Sequence, residues 1–223
     1  MAAFPPAPPA PPYVFRGKYT SDWFSSNIPT WWRLYGALNP GRPMQALEVG
    51  SYEGRSAEWM LDTLLTHPDC RLTCVDTFAG SFEHSVASGA LERTFDANTA
   101  RFGPKVVKVV GSSFEVLRGM PRRPTFDLVY IDGEHHAASV LEDAVLAFGL
   151  VKPGGVLIFD DIGGHTAAAG LSHPFPGLQA FLAVFADRVW VLHSGYQVHV
   201  QKLSQDCTNV ACPCRHSGGK GGV

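Results

Sequence analysis

Long apolar runs are missing from this 223-residue chain, and so is any excess of charge of one sign. No stretch approaches the roughly 20 consecutive apolar residues that a membrane-spanning helix requires. Lysine and arginine number 18 against 20 acids, a formal net charge of −2. That balance gives no electrostatic reason to expect nucleic acid or an anionic membrane surface as a partner. Cysteine is scarce and odd in number: Cys70, Cys74, Cys207, Cys212 and Cys214. The opening MAAFPPAPPAPPYVF lacks the basic and apolar regions of a secretory signal. Together these features predict reduced thiols and a cytoplasmic protein. No acid precedes residue 22, which leaves an organellar address open, but arginine and serine are sparse there.

What is present is an alternation. Residues 1–12 form a Pro/Ala tract that favours polyproline II and cannot bury a core. We expect residues 1–21 to be disordered, 22–203 to form one folded domain, and the polar, Gly-rich 204–223 to be a disordered tail. Within that tail Cys207, Cys212, Cys214 and His216 have the elements of a zinc site, but HSGGKGGV offers it no scaffold. In the middle, MQALEV (44–49), RLTCVD (71–76), KVVKVV (105–110), FDLVYID (126–132) and VLIFDD (156–161) read as buried strands. Helical patterns separate them at 56–65, within 87–102, and at 112–120 and 136–151, where KPGG ends the last. This rhythm implies βαβ units about a parallel sheet covered on both faces. A helix at 175–187 precedes RVWVLH (188–193) and YQVHVQK (196–202), joined tightly at Ser194-Gly195. The expected fold is α/β: a doubly wound, Rossmann-like seven-stranded sheet with a C-terminal antiparallel hairpin.

The first strand leads into LEVGSYEGRS (47–56). One glycine at the strand end lets a ligand approach the backbone, and another opens the next helix, whose N–H groups attract an anion. Tyr52 stands where a dinucleotide fingerprint has its second glycine, which weakens a pyrophosphate reading. Glu48 would repel phosphates and favour a cationic ligand carrying an ammonium or a sulfonium. Asp76, at the end of the second strand, is placed to accept from ribose hydroxyls. Gly111-Ser112-Ser113 lies at the same edge of the sheet.

These segments, with VVGSSFEVL, YIDGEH and KPGGVLIFDD, resemble the class I S-adenosylmethionine-dependent methyltransferases. Within that class the chain resembles a group of small enzymes with an IDGxH motif, and it is similar in layout to catechol and caffeoyl-CoA O-methyltransferases. The resemblance spans about residues 22–202. It implies that Gly50, Ser51 and Gly54 surround the methionine part of the cofactor. Ser56 would reach the cofactor's carboxylate, and Glu48 would support the loop near its amino group. Asp76 would take the ribose, Ser113 and Phe114 the adenine side, and Asp132 a place beside the methyl group. The stretch DWFSSNIPTWW (22–32) would cover the cofactor or the acceptor, or pack in the core.

In a doubly wound sheet the ends of neighbouring strands form the ligand crevice. Asp132 ends the fourth expected strand, and Asp160 and Asp161 end the fifth. Three carboxylates converging there raise one another's pKa unless a hard divalent cation joins them, which favours Mg²⁺, Mn²⁺ or Ca²⁺ over zinc, with Mg²⁺ or Mn²⁺ the expected ion. The resemblance assigns the same three acids as metal ligands. It also places His135 where related enzymes carry Lys or His as the base, whereas His136 and Glu134 receive no role. The expected function is methyl transfer from S-adenosylmethionine to a hydroxyl of a small molecule or sugar, assisted by the metal. An NAD-type oxidoreductase and a non-catalytic cofactor-binding module are the alternatives, and the acceptor itself stays open.

Overall fold

The computed structural model describes residues 11–36, 41–81, 84–85, 89–163 and 173–203. Its strands are β1 (Gln45–Val49), β2 (Arg71–Asp76), the short β3 (Gly80–Ser81) and β4 (His84–Ser85), β5 (Val106–Val110), β6 (Phe126–Ile131), β7 (Val151–Phe159), β8 (Val189–Ser194) and β9 (Val198–Lys202). Its α-helices are α1 (Ile28–Tyr35), α2 (Arg55–Thr63), α3 (Ala90–Thr99), α4 (Ser113–Gly119), α5 (Ala137–Phe148) and α6 (Phe175–Val184). The seven long strands form one sheet in the order β5-β2-β1-β6-β7-β9-β8. The first five are parallel, and β9 pairs antiparallel with both β7 and β8. This is the expected architecture, with the expected hairpin at its end.

Side chains two residues apart share a face of a strand, and the core divides accordingly. Ala46, Leu72, Cys74, Leu128, Tyr130 and Ile158 face a layer holding Trp31 and Tyr35 of α1, Trp59 and Met60 of α2, and Phe95 of α3. Leu47, Val49, Val129, Ile131, Leu157 and Phe159 face Val140, Ala144 and Phe148 of α5 and Leu178 and Phe181 of α6. Each large apolar side chain removed from water contributes about 1.5–3 kcal/mol, so both faces of the sheet require a helical cover. The order reverses between β1 and β6, and at such a switch point the strand ends open a crevice.

Two segments differ from the sequence expectation. Lys152-Pro153-Gly154-Gly155 does not end an element but lies within β7 as an irregularity: Phe126 pairs with Val151, and Leu128 already with Val156. Gly154 has φ of 80°, which absorbs the extra residues. Residues 13–20, expected to be disordered, instead pack against α2. The Tyr13 hydroxyl donates to Asp62 at 2.6 Å, and the backbone N–H groups of Arg16 and Gly17 donate to Glu58 at 2.6 and 2.9 Å. Glu58 is fully buried, so these donors satisfy a carboxylate that would otherwise be costly to bury. Most of the Pro/Ala tract and the whole 204–223 tail lie outside the described residues. Among the described residues no helix is long and apolar enough to cross a membrane.

Candidate active site

The β1–α2 turn is built against the end of β6. Gly50 has φ of 84°, and a Cβ there would lie 1.9 Å from the carbonyl oxygen of Asp132, so no side chain fits. Asp76 ties the turn to β2: its Oδ2 accepts from the N–H groups of Ser51 and Tyr52, both at 2.8 Å, and its Oδ1 from Phe78 N at 2.7 Å. The expected ribose acceptor thus also shapes the loop. A carboxylate has about four lone-pair positions, so capacity for further donors remains.

Beneath the turn sits Glu48, fully buried. Burial pushes its carboxyl up to about 7, although the neighbouring Ser56, Ser51 and Cys74 act to lower it. Ser56, expected to reach the cofactor, gives its hydroxyl to Glu48 Oε1. Ser51 Oγ and Glu48 Oε2 are both buried without a partner of hydrogen-bonding geometry. Two orphaned polar atoms under a glycine turn leave room in the bonding pattern for a ligand's donor and acceptor. Gly54, with φ of 82°, precedes α2 as its N-cap.

Across the crevice the three aspartates arrive as expected, but not as equals. Asp160 Oδ2 accepts from the Tyr130 hydroxyl and from Gln197 Nε2 at 3.0 Å, and Oδ1 accepts from Asp161 N at 2.7 Å. Tyr130 also reaches Asp132 Oδ2 at 2.9 Å. One phenolic proton cannot serve both carboxylates, so a shared proton or a cation must settle the pair. Burial, then Asp160 and Asp161, hold the Asp132 carboxyl well above the usual carboxylate range. Burial and the charge of Asp161 raise Asp160 to about 6, against the lowering effect of the Tyr130 bond. Asp161, in the left-handed region at φ of 58°, turns outward to meet His135 Nε2 at 2.9 Å and the Tyr196 hydroxyl. One ligand atom from each of Asp132, His135 and Asp161 lies within 4.8 Å of the others. That set includes His135 and leaves out Asp160, which stands behind it in the Tyr130–Gln197 network.

Ser113 opens α4 and acts to lower the carboxyl of Asp143 on α5, which burial raises to about 6; Phe114 is exposed at the rim. His136 pairs with Glu134 at 2.8 Å, away from the cluster. Tyr130, Tyr196 and Gln197 were not foreseen as parts of the site, and Trp31 only as a member of the 22–32 stretch. Trp31 Nε1 donates to Gln197 Oε1 at 2.6 Å and so fixes which end of the amide faces Asp160. Tyr130 had a signal, because it lies two residues before Asp132 and shares its strand face. Within 22–32, Phe24 and Trp31 are core residues, while exposed Trp23 lies over Tyr52 of the turn, ring centres 5.0 Å apart.

A family model described as a methyltransferase domain matches residues 47–162, from β1 through the three aspartates. The chain belongs to this methyltransferase family. It is an S-adenosylmethionine-dependent methyltransferase of the class I fold, and the NAD-type alternative is set aside. Similar solved structures share that fold. The O-methyltransferase TomG of Streptomyces achromogenes, involved in tomaymycin synthesis and solved with S-adenosylmethionine, is 21% identical at a TM-score of 0.58, with 79% of this chain and 81% of TomG covered. An O-methyltransferase of Bacillus cereus, solved with S-adenosylhomocysteine, is 21% identical at 0.56, with 78% and 81% covered. The mycinamycin-pathway methyltransferase MycE, solved with Mg, S-adenosylhomocysteine and mycinamycin VI, is 18% identical at 0.54, with 82% of this chain but 51% of MycE covered. No curated protein matches the chain in sequence.

Proposed function

We propose that this methyltransferase transfers the methyl group of S-adenosylmethionine to a hydroxyl of a small molecule or sugar, with a divalent cation at the aspartate cluster. The observation that carries the reading is the convergence of Asp132, His135 and Asp161 beside the Gly50 turn. The orphaned Glu48 Oε2 and Ser51 Oγ fit the amino-acid end of the cofactor, held by Gly50, Gly54 and the Ser56–Glu48 pair. Asp76 accepts from the ribose, Ser113 and Phe114 line the adenine side, and Asp132 stands beside the methyl group.

The donor set, two carboxylates backed by the third, fits Mg²⁺ or Mn²⁺. Asp132 and Asp161, with Asp160 behind them, would hold such an ion, whose charge would make an acceptor hydroxyl easier to deprotonate. Asp161 holds the neutral His135 ring through Nε2–H, and the ring takes the acceptor hydroxyl's proton at its other nitrogen, Nδ1. Tyr130 and Gln197 keep Asp160 from turning away. The buried free thiols of Cys70 and Cys74 support a reducing, cytoplasmic setting.

The test is a transfer assay with methyl-labelled S-adenosylmethionine, Mg²⁺ and a panel of hydroxyl and amine acceptors. Label on hydroxyl oxygens is expected. Label on amines alone would overturn O-methylation while leaving the enzyme class intact.

A further inference from the structure

Next to the aspartate cluster lies a cavity of about 320 Å³ lined by Ser26, Asn27, Thr30, His193, Tyr196 and Gln197. It lies between the start of α1 and the β8–β9 hairpin. Tyr196 joins it to the cluster, because its hydroxyl bonds Asp161. Resting on the O-methylation reading above, we propose that this cavity is the acceptor subsite and that it selects a neutral, hydroxyl-rich ring, with Asn27 as its specificity-determining residue.

Asn27 is the most telling of the lining residues. It occupies the N-cap of α1 yet makes no side-chain cap bond, and its helical backbone angles (φ −84°, ψ −20°) are not those of a capping residue. It is only 6% exposed, and its amide nitrogen has no partner. A buried amide nitrogen with no partner costs stability unless a ligand completes it. Rotation of the amide brings either its donor or its acceptor to the cavity wall.

The remaining chemistry is of the same kind. Ser26 and Thr30 add hydroxyls from the same helical turn. Tyr196 spends its proton on Asp161 and keeps oxygen lone pairs for a ligand donor. Burial and the Arg33 guanidinium hold His193 below the usual imidazole range, so it is neutral at pH 7. Its Nδ1 faces Arg33 at 3.3 Å, which leaves the proton on Nε2. Gln197 is committed at both ends, to Trp31 and to Asp160, and serves as wall. No lining side chain itself carries a charge; the flanking charges are the Arg33 guanidinium, turned to His193 Nδ1, and the anionic cluster beyond Tyr196. A volume near the lower end of ligand pockets, about 300–1,000 Å³, admits one ring. A flat phenol would bury these donors and acceptors unpaired, and a site built for hydroxyls rejects such analogues strongly.

The experiment uses the full chain with labelled S-adenosylmethionine and Mg²⁺. The probes are methyl α-glucoside, the matching glucuronide and catechol, with saturation-transfer NMR as a second readout of binding. We expect methylation and binding of the glucoside, at least 10-fold weaker use of the glucuronide, and little of catechol. Asn27→Leu and Thr30→Val should each raise KM for the glucoside about 10-fold or more with S-adenosylhomocysteine affinity and melting temperature near the parent's. Catechol methylated in preference, at rates indifferent to Asn27→Leu, would overturn the subsite while O-methylation stands. Cofactor binding with no hydroxyl compound methylated would overturn both.

Discussion

His135 Nε2 lies 2.9 Å from Asp161 Oδ2, one residue from a turn of β6 and the other just past β7. The contact joins the two strand ends across the crevice. It also places an imidazole where it can act in either of two ways. As a base it takes the acceptor's proton; as a ligand it would give its lone pair to the cation. The two roles predict different losses when the ring is removed, so they are separable by measurement.

The base role predicts that His135→Ala lowers turnover by roughly 10²–10⁴-fold while Mn²⁺ and S-adenosylhomocysteine bind as before. The neutral imidazole is the active form, so the parent rate should rise with pH as the ring loses its proton, and the variant should lose that rise. His136→Ala, which breaks only the exposed pair with Glu134, is the control and should change little. An unchanged rate in His135→Ala would return deprotonation to solvent.

The cluster predicts a metal requirement with an unequal share among its acids. EDTA should abolish turnover, and Mg²⁺ or Mn²⁺ should restore it. Electron paramagnetic resonance of bound Mn²⁺ reads the site without turnover. Asp161→Ala and Asp132→Ala should weaken Mn²⁺ binding more than Asp160→Asn, because Asp160 Oδ2 is already held by Tyr130 and Gln197. Equal losses in all three variants would make Asp160 an equal ligand, and undiminished turnover in EDTA would end the metal proposal.

Much of this fold was legible because strand signals were strong: FDLVYID and VLIFDD are apolar, β-branched and bounded by turn residues. The glycine turn and the acids after the strands were legible for a related reason, since the topology brings strand ends together wherever a doubly wound sheet reverses order. What stayed hidden depends on distant partners. Nothing local to residues 13–20 announces that Glu58, some 40 positions away, will collect their N–H groups. Nor does local pattern show that Gln197 will be fixed by Trp31, 166 residues earlier, and so hold Asp160. Asp76 shows the same limit, because its backbone partners at Ser51 and Tyr52 come from another strand's turn.

The docked N-terminal segment predicts a stability boundary at Tyr13 rather than Asp22. Thr20 N donates to Glu53 Oε2 at 2.7 Å, and the Arg55 guanidinium lies 4.0 Å over the Phe15 ring. Removing residues 1–21 strips these contacts and the donors on buried Glu58, at a cost on the order of 3 kcal/mol. Removing residues 1–10 keeps every one of them. Urea unfolding should therefore show a lowered midpoint for the longer truncation and the parent midpoint for the shorter. Equal midpoints would show that the segment adds nothing to the fold.

Glu48 predicts a pH dependence of both stability and cofactor binding. Its folded carboxyl sits at about 7, against an ordinary 4.5, chiefly through burial. Between those values the folded protein holds a proton that the unfolded chain has released, so this group's contribution falls as pH rises from about 4.5 to 7, by up to roughly 3 kcal/mol. Glu48→Gln removes the titration while keeping an oxygen to accept from Ser56. In ligand-free protein with EDTA present, the melting temperature of the variant should gain on the parent's from pH 5 to 8. Asp132, Asp160 and Asp143 also carry raised carboxyls, so the difference between parent and variant, not either curve alone, isolates Glu48. Cofactor binding should move oppositely. The ammonium of S-adenosylmethionine favours ionised Glu48, so binding near pH 6.5 should expel a proton, seen in calorimetry as an enthalpy that depends on the buffer. The variant should lose that proton and bind roughly 10–100-fold more weakly, the scale of a charge-assisted hydrogen bond. A variant that binds like the parent, with the same buffer dependence, would remove Glu48 from the cofactor site and leave its orphaned oxygen to be explained by the fold alone.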